Sequence, residues 1–332
     1  MTILEKGNYQ HQMPTQNPFV ASMHHLDYFP KGNGKMGPYL MKKENQGFNL
    51  KADWRMYYGE NVPGFPAHPH RGFETVTIVT EGMVDHTDGL GSRGRYGNGD
   101  VQWMTAGKGL QHCEMFPLLN EDKENTLELF QVWLSLDHKS RMVEPDYKML
   151  WNEDIPRISL GEDNKQVRIT LIAGELMDKV AVKPTKDSWA NKKENKLSIQ
   201  LIEMDPGSEY ELPAVSSTLK RSIYNYSNGV LSILGEELKM KMYMFLTAAE
   251  TTLVTNNSSD TVKLLLLESE PINEPILAYG PFVMTTKEEI RQAYEDYQDT
   301  QFGGWPFPKA EVVLPKDMGR FAEYPDGRVE KP

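Results

Sequence analysis

Apolar residues in this chain come in short runs, each closed by clusters of Gly, Pro, Asn and Asp. The runs are Phe48–Tyr58, Thr75–Thr80, Val101–Met104, Leu127–Leu136, Val167–Ala173, Leu197–Met204, Val230–Leu234 and Val262–Leu267. Runs of this length, rich in β-branched and aromatic residues and separated by turn formers, read as strands. Without alternating helical segments they specify an antiparallel sandwich or barrel and not a parallel α/β sheet. Leu127–Leu136 is apolar on both faces, the pattern of a strand buried between layers. At 332 residues the chain is long for one such domain and sufficient for two. Its hydrophobic share of 39% can build a core without disulfides or structural zinc.

The strand pattern lapses between Asp137 and Lys165, a charged stretch holding Pro145 and Pro156, and resumes at Val167. That lapse reads as a linker. The expected fold class is therefore all-β, with one barrel or sandwich over residues 1–150 and a second over 151–285. A C-terminal helix and extended tail follow over 286–332. The helix is signalled by a capping box, Thr286 with Glu289, followed by Ile290, Ala293, Tyr294 and Tyr297 at i, i+3, i+4 and i+7. Its apolar stripe should pack on a barrel wall. Beyond Phe302 the sequence Gly303-Gly304-Trp305-Pro306-Phe307-Pro308 is too rich in proline for regular structure and predicts a strap lying over another surface.

A net charge of −11 opposes a phosphate backbone, and no basic stripe interleaved with aromatics reverses it locally, so direct nucleic-acid binding is not expected. The patch Lys192, Lys193 and Lys196 is interrupted by Glu194 and reads as a solvated loop. No apolar stretch reaches the ~18 residues of a membrane span, and Met1–Thr15 lacks the apolar core of a signal peptide. With Cys113 as its single cysteine, the chain is expected to be cytoplasmic. The sequons at Asn225, Asn256 and Asn257 should be inert there. Gly89-Leu90-Gly91-Ser92-Arg93-Gly94 fits a dinucleotide fingerprint in letters only, because another turn cluster follows it where a helix is required.

The histidines are unevenly placed, with none after His138. Two triplets stand out, His68-Pro69-His70 and His112-Cys113-Glu114. On an extended strand, side chains at i and i+2 share a face, so His68 and His70 project together, as do His112 and Glu114. Such pairs on neighbouring strands would make a four-ligand pocket of imidazoles and a carboxylate. Glu74, which shares parity with His68 and His70, competes with Glu114 as the carboxylate. Glu114 is favoured because Gly72 breaks the strand before Glu74, leaving Glu74 to orient a histidine. Cys113, between two inward positions, should point into the barrel wall or the interdomain space as a buried structural thiol. His24 and His25 are expected on the surface or in loops. His86 is expected either near the pocket mouth or in a local hydrogen bond.

The run from Gly64 through His68-Pro69-His70-Arg71-Gly72-Phe73-Glu74 to Val76, followed by Gly99-Asp100-Val101-Gln102-Trp103-Met104-Thr105-Ala106-Gly107-Lys108-Gly109-Leu110-Gln111-His112-Cys113-Glu114, resembles the signature of the pirin family, a branch of the cupins. The likeness extends to Leu127–Trp133, to Met142–Pro145 and, more loosely, to Gly280–Met284. The chain departs from the pattern between Asn17 and Gly64 and in the tail after Gly304. The resemblance implies two cupin barrels with a metal in the first only, held by His68, His70, His112 and Glu114. The metal would be one divalent transition ion, Fe(II) first, with Mn, Ni, Co, Cu or Zn as alternatives. Some pirins cleave flavonols such as quercetin with dioxygen. Others are non-enzymatic metal-dependent regulators that bind protein partners such as transcription factors. The first activity implies a small flavonol-like aromatic substrate, with Glu114 as the base that takes its proton, and the second stands as the alternative.

Overall fold

The computed structural model describes residues 2–162 and 164–332. The chain forms two compact units, one from Met1–Ser22 with Asp154–Asn273, the other from Met23–Glu153 with Glu274–Pro332. Among the described residues no helix is long and apolar enough to cross a membrane.

The first unit is built on a seven-stranded sheet in the order Ile3–Asn8, Met242–Ala248, Ser216–Asn225, Val262–Ser269, Ser198–Met204, Val167–Ala173 and Arg157–Leu160. A four-stranded sheet, Glu209–Leu212, Thr252–Asn256, Val230–Ile233 and Glu236–Lys239, faces it. Alternate residues of each strand point inward and meet in one core, with Ile169, Leu171 and Ile202 from the larger sheet against Leu231, Ile233 and Val254 from the smaller. Spatial units and chain order therefore differ. Residues 1–22, contiguous in sequence with the first barrel, add the edge strand Ile3–Asn8 to Met242–Ala248 of the later one.

In the second unit, one sheet orders Asp146–Leu150, Val101–Thr105, Phe73–Glu81, Asn125–Ser135 and Phe19–Phe29. The other orders Val329–Glu330, Phe321–Glu323, Arg93–Gly97, Met83–Asp88, Leu110–Met115 and Gly64–His70. Val79, Leu129 and Met149 from the first sheet meet Val84, Tyr96 and Ala322 from the second. The stretch read as a linker thus carries the strands Asp146–Leu150 and Arg157–Leu160, whose short length and flanking prolines hid them.

Phe48–Tyr58, read as a strand, is an irregular loop that joins no sheet as a strand; its backbone meets the sheets through an isolated bridge at Tyr57 and through Tyr28 N, which donates to Asp53 O at 2.9 Å. Its charged centre interrupts strand alternation, and side chains stitch it down instead. Arg55 Nη1 donates to Asp27 Oδ1 at 2.8 Å, and Tyr57 Oη donates to Asp27 Oδ2 at 2.6 Å. The segment Gly89–Gly94 is a turn leading into the strand Arg93–Gly97, with no helix after it.

The helix forms at Lys287–Thr300 with both bonds of the Thr286–Glu289 capping box in place. Ile290 and Ala293 bury against Phe282 and Met284 of the short hairpin Leu277–Tyr279/Phe282–Met284. The tail crosses the outer face of the sheet that carries Met83–Asp88. Ala67 N donates to Ala310 O at 2.9 Å, and Leu314 N donates to Asp85 Oδ2 at 2.9 Å. Trp305, Val312 and Val313 pack over buried Cys113 and Met115. The chain then returns as Phe321–Glu323 to pair with Arg93–Gly97.

Candidate metal centre

The strand Gly64–His70 runs antiparallel to Leu110–Met115 with His68 opposite His112, after a register shift between Phe65 and His68. Strand parity brings His70 to the same face as His68, and the cross-strand pairing brings His112 beside them. Ring centroids are 4.4 Å apart for His68 and His112, and 4.9 Å for His68 with His70 and His70 with His112. One ligating nitrogen of each ring lies within 4.8 Å of the others.

The backbone sets the outer side of two of these rings. His68 Nδ1 lies 2.9 Å from Pro66 O and His70 Nδ1 lies 3.4 Å from Pro281 O. A carbonyl only accepts, so Nδ1 carries the proton and Nε2 keeps its lone pair for the interior. His112 has both nitrogens buried without a hydrogen-bond partner among the described residues. Burial pushes the His68 pKa down to about 4. Burial, and then the neighbouring histidines, hold His70 and His112 well below the ordinary imidazole value. All three are therefore neutral near pH 7, the form that ligates a metal.

Glu114 sits one step along the same face, its Oε2 3.7 Å from His112 Nε2. Its carboxylate is tethered at Oε1 by Thr77 Oγ1 and at Oε2 by Gln131 Nε2, both at 3.2 Å. Thr77 Oγ1 also lies 2.6 Å from Gln131 Oε1, so the three groups form a closed cluster. Burial raises the Glu114 pKa, against the lowering effect of His86 and these two bonds. Three clustered imidazoles, two of them with inward lone pairs and the third, His112, with no hydrogen-bond partner among the described residues, and an adjacent carboxylate form a donor set that fits a divalent transition metal.

Glu74 lies elsewhere. It alternates with Thr75 and Thr77 along Phe73–Glu81 and therefore faces away from the pocket, where its Oε1 accepts from Trp103 Nε1 and Thr105 Oγ1, each at 2.9 Å. The orienting role expected of it is taken by the carbonyls of Pro66 and Pro281. His24 and His25, expected on the surface or in loops, are buried on the strand Phe19–Phe29, where His24 reaches Glu128 at 3.1 Å and His25 reaches Tyr57 Oη at 2.8 Å. Both belong to a strand that the sequence reading missed. Cys113 is buried in the wall, its Sγ 3.8 Å from Val312 O and its pKa pushed up to about 12 by burial.

His86 is fully buried beside the centre, its Nε2 3.5 Å from Asp88 Oδ2. It pairs across the sheet with Glu114, its ring is 5.5 Å from His112 and stacks on Tyr147 at 5.2 Å, and neither nitrogen has a hydrogen bond among the described residues. Phe73 and Trp133 flank His70 at 5.0 and 5.2 Å, giving that side of the centre an apolar aromatic wall. Thr77 and Gln131 were not singled out from sequence. Parity with Phe73 on their own strand would have pointed Thr77 inward, but its pairing with Glu114 depends on long-range register.

The family profile described as Pirin matches residues 20–134, and the one described as Pirin C-terminal cupin domain matches residues 200–303. A pirin-like protein of Solanum lycopersicum is 37% identical over 238 residues, covering 71% of this chain and 75% of the relative. Pirin of Homo sapiens is 34% identical over 253 residues, covering 74% of this chain and 80% of the relative. A crystal structure titled as quercetin 2,3-dioxygenase from Acinetobacter baumannii superimposes with a TM-score of 0.72 at 26% identity, over 91% of this chain and 98% of that one. Profiles over both barrels, and relatives matched over most of their length, agree with the two-sheet architecture of each unit and with the three clustered imidazoles: the chain belongs to the pirin family of the cupins.

Proposed function

We propose that this protein binds one divalent transition metal through His68, His70, His112 and Glu114, Fe(II) first among Mn, Ni, Co, Cu and Zn, and acts as a flavonol 2,3-dioxygenase. The observation that carries the metal assignment is the set of three converging imidazoles around His112, whose nitrogens have no hydrogen-bond partner among the described residues. The reaction class follows from the likeness to the Acinetobacter baumannii quercetin 2,3-dioxygenase structure, together with the aromatic wall.

When bound, such an ion supplies Lewis acidity and redox reactivity towards dioxygen. The chain's own residues do the rest. Trp133, backed by the fully buried Phe73, offers flat apolar surface to a planar ring system, and the two exclude water from one side of the centre. Glu114 is placed to accept the proton of a flavonol hydroxyl at Oε2. Its buried setting raises its basicity, and Thr77 with Gln131 keeps the carboxylate from rotating away. The neutral imidazoles add no positive charge of their own that would hold a phenolate without reaction.

Anaerobic addition of quercetin to the iron-loaded protein should shift the flavonol absorption band, and admitting air should bleach it with ring cleavage. If flavonol binds and none is turned over with any of iron, manganese, cobalt, nickel, copper or zinc, the enzyme assignment fails and a protein-binding role takes its place.

A further inference from the structure

The barrel formed with Asp154–Asn273 has no histidine after His138 to hold a metal in the same way, yet its interior is not apolar throughout. Along Ser198–Met204 the inward positions run Met204, Ile202, Gln200 and Ser198, and the apolar core ends at Ile202. Along Val262–Ser269 the same change occurs between Leu266 and Glu268. Above that level lies a cavity of about 530 Å³, with Ser198, Gln200 and Glu268 at its floor.

This floor is incompletely satisfied. Gln200 is 3% exposed, and its Nε2 donates to Ser198 Oγ at 2.8 Å, while its Oε1 is buried with no hydrogen-bond donor among the described residues. Turning the amide over would satisfy the oxygen and strand the nitrogen, so either orientation leaves one polar atom without a partner on a side chain that lines the cavity. A hydroxyl, which both donates and accepts, meets either one. Glu268 adds an acceptor, engaged on one side by Arg221.

The walls are apolar, from Leu176, Val180, Val182, Leu212 and Leu266. The rim is basic: Lys183, Lys192, Lys193 and Lys196 line it, against Glu175. Lys193 pairs with Glu175 at 2.8 Å and Lys196 approaches Glu270 at 3.7 Å, while the Lys192 ammonium sits 5.2 Å above the Trp189 ring. In a chain of net charge −11 this local excess of cations is a departure from the average surface. The lysine cluster that reads from sequence as a solvated loop is thus the mouth of a cavity.

We propose that this cavity is a second binding site, independent of the metal centre, for a small hydroxylated organic anion. Its carboxylate lies among the rim lysines, its apolar body between Leu176, Leu212 and Leu266, and its hydroxyl at Gln200. The para-hydroxylated cinnamate ion has this order of groups and serves as the probe.

Calorimetric titration of the full-length, metal-loaded protein should give one saturable site for 4-hydroxycinnamate that is unchanged in His112→Ala. Cinnamate, lacking the hydroxyl, and 4-hydroxycinnamyl alcohol, lacking the charge, should each bind about tenfold more weakly. Gln200→Leu should erase the preference for the hydroxyl. Lys192→Gln with Lys196→Gln should erase the preference for the carboxylate and the salt dependence that accompanies it. Loss of all binding in His112→Ala would put the probe at the metal centre and overturn the site, as would preferences unchanged in both cavity variants. Should Gln200→Leu not fold, the lysine pair lies on the exposed rim and decides the matter alone.

Discussion

His112 shows what each residue of the centre costs the fold. A fully buried imidazole with neither nitrogen hydrogen-bonded forfeits its interactions with water and gains none in return, a penalty of about 1–3 kcal/mol. A bound ion removes that penalty, so His112→Ala should abolish tight metal binding while leaving the metal-free protein folded. Metal analysis after dialysis, with circular dichroism alongside, checks both halves. Gln131→Leu releases one oxygen of Glu114 and should lower metal affinity about ten- to a hundredfold without abolishing it, the range for partners that hold a ligand in place. Glu74→Ala should leave affinity unchanged and instead lower the unfolding temperature, because the buried bonds from Trp103 Nε1 and Thr105 Oγ1 to its carboxylate are lost. The histidines also predict a pH response of the metal-free protein. His68 has a folded pKa near 4 against an ordinary value of 6.5, so the unfolded chain takes up its proton first as pH falls, and stability drains away between pH 6.5 and 4. His68→Gln should flatten the fall in unfolding temperature across that window, and an unchanged slope would count against a neutral His68. At this scale the sequence was informative wherever strand parity sufficed, as for His68, His70, His112 and the outward Cys113. It failed where cross-strand register decides the neighbour, as for His86 beside Glu114 and for Thr77 beneath it.

Elements were legible in proportion to how locally they are determined. The helix Lys287–Thr300 was readable because its start is written in four residues and its face in the next eight. Phe48–Tyr58 was misread because aromatic residues suit a loop held by side chains as well as they suit a strand; what distinguishes the two is Asp27, far away in sequence, receiving Arg55 and Tyr57. The connection that matters most to the centre is the turn between His70 and Phe73. Gly72 has φ +85°, and a Cβ built there would lie 1.9 Å from Val283 O, so the strand bearing two of the imidazoles is locked against the hairpin that supplies the Pro281 carbonyl. Arg71 reinforces the same junction, donating to Lys108 O and Asp296 Oδ2, each at 2.6 Å. Gly72→Ala should therefore destabilise by about 2 kcal/mol or more, and should also weaken metal binding through displacement of His70. Chemical denaturation and metal titration of the same sample measure the two effects together. A variant with lowered stability and undisturbed affinity would show that the hairpin does not position the ring.

For the whole molecule, the sequence yielded two β-rich sets, a metal pattern confined to the first, and a strap at the end. It did not reveal that the first 22 residues complete the later barrel, or that the strap closes on the earlier one, because edge pairing is a property of three-dimensional neighbours and leaves little mark on an exposed strand such as Ile3–Asn8. This unequal division of labour predicts how the chain responds to metal. An ion that binds only the folded state stabilises it by about 4 kcal/mol at a thousand times its dissociation constant. At the proposed site that energy would enter through His68, His70, His112 and Glu114, which all lie in the unit Met23–Glu153 with Glu274–Pro332. Hydrogen exchange with and without metal should therefore gain protection first in peptides spanning Gly64–His70 and Leu110–Met115. Peptides from Ser198–Met204 and Val262–Ser269, in the unit whose core is made of apolar side chains around Ile202 and Leu264, should change little. One ion per chain should suffice for the whole effect, and the increment should vanish in His112→Ala. Equal protection in both sets of peptides would mean that the two units open as one cooperative body, while protection confined to the Ser198 and Val262 peptides would place the ion in the wrong barrel and remove the metal assignment altogether.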